Sequence, residues 1–403
     1  MIVTHGFPPE STAGTERMAE VTVKELIQRG FDVALFTARS GQKTDITALP
    51  PEKVFCVPKK KKAALWQDFD GRQRRRFQQA LRKFRPETVY FHHTLYLSFD
   101  LPLIAKQFGT RVVFMTHDFW LVCPRSTLLS KDGSLTTLID RRRCANCLAL
   151  HDHPAAQGNQ LIRQITRPWL ARLLLRRRDR VEKQLYRAID CFISPSQTVA
   201  RVISRRGVPA NKMHVIPYGL PPLPSTKTTS SMIRFGFIGT LVPHKGANWL
   251  IEAFSKLDAT LVTLTLWGPL EKPGELSTLR DQPNIRYAGQ FSIGHTADIY
   301  SQIDCLIVPS RWPENQPLVI LQAWQTGTPV ITGNLGGMAE LVTDGQNGLL
   351  YRWLDSTDLL NKLRLFIHDQ QLRAKLRQGA QTTKVLSPQE HLDRIVPLLT
   401  ELQ

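Results

Sequence analysis

The chain predicts an α/β fold built as two parallel-sheet domains, and three observations carry that expectation. Residues 303–350 read as strand, loop, helix and strand. The apolar run Cys305–Val308 ends at Pro309-Ser310, and Leu318, Ile320, Leu321 and Trp324 recur at helical spacing. Gly327 marks a helix stop before the short strand Pro329-Val330-Ile331. The octapeptide IDCFISPS at 189–196 is then echoed by IDCLIVPS at 303–310, as two similar halves would produce. Finally, 403 residues exceed what one core of ordinary size organises, and a Pro/Ser/Thr-rich stretch, GLPPLPSTKTTSS, divides them at 219–231.

Taken in order, residues 1–218 form the first domain. Met1-Ile2-Val3-Thr4-His5 reads as a strand and lacks the basic-then-apolar pattern of a secretory leader, and no run reaches the ~20 apolar residues of a membrane span. The expectation is a cytoplasmic protein. HGFPPESTAG at 5–14 is rich in turn formers, and Ser11 or Thr15 is expected to cap a helix through Ile27 carrying Met18 and Val21. Gly14, at that loop-to-helix junction, is a candidate anion contact, because helix-start N–H groups lack intrahelical partners. Residues 31–37, 87–92 and 111–116 read as strands. The clusters Lys59–Lys62 and Arg72–Arg76 read as solvated surface. His117-Asp118 follows the 111–116 strand, where a histidine can donate a hydrogen bond to a ligand hydroxyl or to developing charge.

Cys123, Cys144 and Cys147, with His151 and His153 just after, suggest a four-coordinate structural zinc; the competing expectation is a loop of reduced thiols. Residues 161–189 predict a long basic helix interrupted at Pro168. Ile162, Ile165, Trp169, Leu173, Leu174, Val181, Leu185 and Ile189 form its apolar stripe, crowded by arginines. It reads either as a helix lying on an anionic membrane or as a core-facing helix with a basic outer side. A closing strand at 212–218 leads into the linker at 219–231.

The second domain runs from 232 to 385. Strands are expected at 233–239, 261–268 and 284–289, and Lys245-Gly246 precedes a helix from Ala247, where a lysine can neutralise phosphate as a compact cation. Glu314 lies in the loop at the carboxyl end of its strand, the edge at which open α/β sheets bind ligands. Residues 355–379 and 388–402 are helical, and 386–403 is expected to cross back to the first domain.

These residues resemble the donor-binding signature of the retaining family 4 glycosyltransferases (glycosyl transferases group 1). That family has the GT-B architecture of two Rossmann-like domains facing a cleft. Its pattern is a Glu, seven residues, a second Glu, then G-x-P-V and Gly-Gly-x-x-E. Glu314, Gly327–Val330 and Gly336, Gly337 and Glu340 match it, while Gln322 stands at the second Glu. A Gly-Arg…Lys-Gly element is kept as Lys245-Gly246, with Thr240 in place of the Arg. The resemblance implies His117, Lys245 and Glu314 as the catalytic set. Gly14, Thr240, Lys245, Glu314, Asn315, Leu318, Gln322, Gly336 and Gly337 become the donor-binding set. Lys245 and backbone N–H groups near Gly14 and Leu318 would stabilise the leaving diphosphate, Glu314 would orient the sugar and Gln322 would reach the ribose. Asp118 is a helper of His117, with His92 and His93 as acceptor-side alternatives. No cofactor beyond the nucleotide-sugar co-substrate is required, and no DxD-like metal motif lies at a fitting strand end.

Net charge is +19, and all of the excess lies in the first domain: residues 1–218 hold 37 Lys and Arg against 18 Asp and Glu, while residues 219–403 hold 16 of each. A donor site in the second domain does not account for this. An anionic membrane surface and a lipid-linked or glycan acceptor do. The implied activity is transfer of a hexose-type sugar in cell-surface polysaccharide or glycolipid synthesis. Competing expectations are an epimerase or phosphorylase of the same architecture, a nucleotide-sugar binder with little turnover, and a basic nucleic-acid-binding protein. The last lacks zinc-finger spacing and an aromatic RNA-binding signature, so no nucleic acid partner is expected.

Overall fold

The computed structural model describes residues 1–40, 49–59, 69–130, 132–136, 140–149, 160–224, 226–270 and 282–401, without the side chains of 149 and 160–168. Lys60–Lys62, His151 and His153 lie outside the described residues or side chains, as do the apolar residues Ile162 and Ile165. Residue contacts divide the chain into two units, Met1–Tyr218 with Pro388–Gln403, and Gly219–Ser387.

The first unit's strands are β1 (Ile2–Thr4), β2 (Leu35–Arg39), β3 (Val54–Pro58), β4 (Thr88–Phe91), β5 (Arg111–Met115), β6 (Cys191–Ser194) and β7 (Met213–Val215). Among the described residues they form one parallel sheet, ordered β3-β2-β1-β4-β5-β6-β7. Its helices are α1 (Gly14–Gln28), α2 (Gly71–Phe84), α3 (Leu101–Gln107), α4 (Arg141–Ala149), α5 (Gln160–Ala188) and α6 (Gln197–Ser204). Phe36, Phe77, Phe91, Phe114 and Phe192 are buried in contact along the sheet, because parallel strands covered on both faces read as near-continuous apolar runs.

The second unit pairs β8 (Ile233–Ile238), β9 (Val262–Trp267), β10 (Ile285–Gly289), β11 (Cys305–Val308), β12 (Val330–Gly333) and β13 (Gly348–Tyr351) in the order β10-β9-β8-β11-β12-β13, again parallel. Its helices are α7 (Ala247–Phe254), α8 (Thr296–Ser301), α9 (Leu318–Gln325), α10 (Gly336–Leu341), α11 (Ser356–His368) and α12 (Gln370–Thr382). In both sheets the strand order reverses beside the first strand, β1 in one and β8 in the other. That is the point at which such sheets open a crevice at their carboxyl edge.

A last helix, α13 (Pro388–Thr400), belongs to the first unit. Thr88 Oγ1 donates to the Leu399 carbonyl at 2.7 Å, Arg111 Nε donates to the Leu398 carbonyl at 2.8 Å, and Gln389 Nε2 donates to Glu25 at 2.9 Å. The predicted helix at 355–379 is instead two, because Asp369 ends α11 and its carboxylate caps the Leu372 amide of α12. The cap of α1 also differs from expectation. Ala13 holds that position, and the Ser11 hydroxyl is spent on Glu16 at 2.6 Å. The apolar stripe expected along α5 is split. Leu185 and Ile189 are buried with Ala171 and Leu175, whereas Trp169 and Leu173 face outward. Among the described residues, no helix is long and apolar enough to cross a membrane.

Candidate active site

In the second unit, the carboxyl edge of β11 supports a tightly specified acidic site. The strand ends at Val308, and Pro309 starts a loop whose carboxylate, Glu314, is 6% exposed. Glu314 Oε1 accepts from Lys245 Nζ at 2.5 Å, from Ser310 Oγ at 2.7 Å and from Trp312 Nε1 at 3.0 Å. Lys245 also lies over the Trp312 ring, 5.4 Å from its centroid, and His244 meets the same ring edge-on. Ser310 and Trp312 are buried, whereas the Lys245 side chain is 30% exposed. Lysine is therefore the movable member, and the hydroxyl and indole fix the carboxylate. All three bonds converge on Oε1, so Oε2 carries none of them.

Two glycines let the backbones come this close. Gly246, at φ +77, packs where an added Cβ would lie 2.1 Å from the Pro309 carbonyl oxygen, which seats the Lys245 loop against the Glu314 loop. Gly337 donates its N–H to the Glu314 carbonyl at 2.8 Å, and a Cβ there would lie 1.3 Å from the Asn315 carbonyl oxygen. The start of α10 is thus locked onto the acidic loop. Gly337→Ala should push that loop away, costing roughly 1–3 kcal/mol of stability. Thermal melting of this variant beside the unaltered chain measures the loss, and an unchanged melting temperature would contradict it.

Gly336 stands at the first position of α10, and buried Asn315 leads through Pro317 into α9. Leu318 opens α9, with the half-buried Gln322 one turn on, so the two share a helix face beside the acidic loop. Thr240 is exposed just past the end of β8. Among the predicted residues, Lys245 and Glu314 are in direct contact, and Gly337 is bonded to the same loop. Ser310, Trp312 and His244 were not anticipated. Trp312 and Ser310 sit within four residues of Glu314, so proximity in sequence was the available signal.

In the first unit the carboxyl edge gathers histidines. Gly14 occupies the first, exposed turn of α1. Behind it, His5 Nε2 contacts the buried Glu16 at 3.1 Å. Burial opposes the charge of Glu16, yet bonds from His5, Ser11 and its own amide keep the carboxyl below its ordinary range. His117 is 8% exposed, with Nε2 at 3.0 Å from His92 Nδ1 and Nδ1 at 2.5 Å from the Tyr218 hydroxyl. Both ring nitrogens face protein partners, so a ligand contact requires one of these bonds to open. His93 Nδ1 accepts the Leu95 amide at 2.9 Å, which leaves its proton on Nε2, facing Asp118 at 3.2 Å. His391 Nδ1 donates to the Pro217 carbonyl at 2.7 Å. Asp118 is therefore paired with His93. Tyr218 and His391 were invisible to local reading because they lie far along the chain, Tyr218 101 residues from His117 and His391 174 residues from Pro217.

The zinc expectation finds no support among the described residues, and its candidate fourth ligands His151 and His153 lie outside them. Cys123, Cys144 and Cys147 line one hollow of about 30 Å³ beside Leu128 and Leu148. Among the described residues, however, no three His, Cys, Asp or Glu side chains are placed to hold a metal ion. Burial pushes the Cys123 and Cys144 thiols up. The expected loop at Cys144 and Cys147 is the helix α4, which packs on α5.

Comparison with known proteins bears on the family and the fold. The model of Glycosyltransferase Family 4 matches residues 12–222, and that of Glycosyl transferases group 1 matches residues 233–369. A D-inositol 3-phosphate glycosyltransferase of Stackebrandtia nassauensis is 29% identical over 226 residues, covering 49% of this chain and 51% of that protein. The chain thus spans about half the length of the curated relatives it matches. Among solved structures, Anabaena HepE in complex with UDP and glucose superposes with a TM-score of 0.70 at 18% identity, over 100% of this chain and 99% of that one. WaaG, a glycosyltransferase involved in lipopolysaccharide biosynthesis, gives 0.66 at 15% identity, over 100% and 99%. At these identities the likeness is one of fold. The expected class, α/β with the GT-B pairing of two Rossmann-like sheets, is shown.

Proposed function

Because this chain belongs to glycosyltransferase family 4, we propose that it moves a hexose-type sugar, with retention, from a nucleotide-sugar donor to a hydroxyl of a glycan or lipid-linked acceptor. The observation that carries this reading is the contact of Lys245 with a carboxylate held by Ser310 and Trp312. A retaining transfer without a carboxylate nucleophile needs the leaving diphosphate stabilised as its charge develops. Lys245, 30% exposed, swings from its ion pair to that charge, and the N-terminus of α9 adds backbone N–H groups. Glu314 keeps its two fixed donors and accepts from donor-sugar hydroxyls, orienting the anomeric carbon. Gln322 reaches the ribose as a neutral hydrogen-bonding group. In the first unit, Gly14 and His117 stand as candidate donor contacts, His117 once its bond to His92 opens.

The UDP and glucose of the HepE complex support a uridine nucleotide as the first donor to test. The reading extends to a cytoplasmic protein peripheral to a membrane, acting in cell-surface polysaccharide or glycolipid synthesis. The basic first domain supports this. A thermal-shift screen against UDP-, GDP- and ADP-sugars tests the donor assignment, since a ligand that binds only the native form raises the melting temperature. A rise with one nucleotide class is expected; no rise with any of them contradicts the reading. Gln322→Glu should tighten donor binding by roughly tenfold, as a charged acceptor replaces a neutral one at the ribose. Titration calorimetry measures this, and weaker binding would remove Gln322 from the ribose.

A further inference from the structure

Helix α5 presents a face that the transfer reaction does not use. Trp169 is 66% exposed and Leu173 48%, one turn apart. Arg172, Arg176, Arg180, Lys183 and Arg187 follow at three- and four-residue spacing on the same side, and all are exposed. From Trp169 to Arg187 this strip is roughly 27 Å long, at 1.5 Å per residue. Its orientation is fixed from behind. Arg178, on the opposite side, is fully buried between the rings of Phe99 at 3.8 Å and Trp120 at 4.3 Å, and donates to the Trp120 carbonyl. The strip therefore cannot roll inward. Phe69 lies between Arg177 of α5 and Arg74 of α2, which joins it to the basic start of α2 and its exposed Arg72, Arg75 and Arg76.

We infer that this face docks the protein on an anionic lipid bilayer, with Trp169 and Leu173 entering the headgroup boundary and the cations lying over acidic lipids. A continuous cationic row matches a negatively charged plane, and a tryptophan beside a leucine at one end matches the apolar boundary beneath it. Duplex nucleic acid would use the cations but give Leu173 no apolar partner. The inference rests on the transfer reading only for its purpose, delivering a membrane-borne acceptor. Vesicle binding is measured without donor or acceptor, so the two fail separately.

The test is co-sedimentation of the full chain with phosphatidylglycerol–phosphatidylcholine vesicles, beside pure phosphatidylcholine vesicles and a labelled duplex DNA at matched salt. Sedimentation with the anionic vesicles alone is expected. Arg176→Gln with Arg180→Gln should lower partitioning roughly 25-fold, from about five-fold per cation at such a surface. Trp169→Ser should lower it several-fold without changing the salt dependence. All three side chains are exposed, so melting temperature and donor-induced shift should be unchanged in these variants. Equal sedimentation with neutral vesicles, full binding by the double variant, or retention of DNA without vesicles would each overturn the inference.

Discussion

Lys245→Ala is expected to lower turnover by roughly 10²–10³-fold, the cost typical of removing one preorganised group that faces developing charge. The fold should survive, because the Lys245 side chain is 30% exposed and Glu314 retains Ser310 and Trp312. Glu314→Ala should be the less selective change. It leaves two buried donors facing no acceptor, at about 1–3 kcal/mol of stability, besides removing the sugar contact. The double variant distinguishes a functional pair from a structural one. If the two side chains serve only each other, combining the substitutions adds little to the single loss. If both touch the donor, the double variant loses more than either alone, which is the expected outcome. Steady-state kinetics with a melting control measures it, and wild-type turnover in Lys245→Ala would contradict the role.

Acid should unfold the first unit by charging its buried histidines. Burial pushes His92 down to about 3 and, against the raising bond to the Pro217 carbonyl, His391 down to about 4, with Arg394 adding to the second effect. An unfolded histidine titrates near 6.5, so below that pH the unfolded state binds more protons than the folded one. Their contribution is therefore complete above about pH 6.5 and is lost progressively as pH falls toward the folded values. Each group costs roughly 1.4 kcal/mol per pH unit across that window. His117 and His5 are lowered by burial as well and act in the same direction. His391→Asn, which keeps a donor for the Pro217 carbonyl, should flatten the slope of unfolding free energy between pH 6.5 and 4 by about the share of one group. Denaturant titrations at stepped pH would show it, and an unchanged slope would place the acid sensitivity elsewhere.

The parts of this molecule that were legible in sequence are those specified by local pattern. β11, α9 and β12 follow from one apolar run, one helical spacing and one glycine stop, whereas the echo of 189–196 in 303–310 falls on strands that are not equivalent, since β11 lies beside the first strand of its sheet and β6 two places further out in the other. What stayed hidden needed tertiary information. The edge strand β3, with half-buried residues flanked by charge, has no apolar run to announce it. Helix α2 read as a charge cluster because only Phe77, Ala80, Leu81 and Gln73 turn inward from a surface of arginines. In α5, spacing identified a helix but not its buried side: Arg178 is inside and Trp169 outside. The Lys245–Glu314 contact spans 69 residues; the resemblance placed both in one site, and their direct contact follows from loops that leave the neighbouring parallel strands β8 and β11 at one sheet edge. The Tyr218–His117 bond, across 101 residues, had no such repeat to point to it.

The most direct measurement is a crystal structure with an intact or hydrolysis-resistant UDP-sugar bound. The expected result has Lys245 Nζ turned from Glu314 to a diphosphate oxygen, with the Glu314 carboxylate, still held by Ser310 and Trp312, accepting from a sugar hydroxyl. A nucleotide-sugar bound elsewhere, with Lys245 and Glu314 still paired only to protein, would contradict the account.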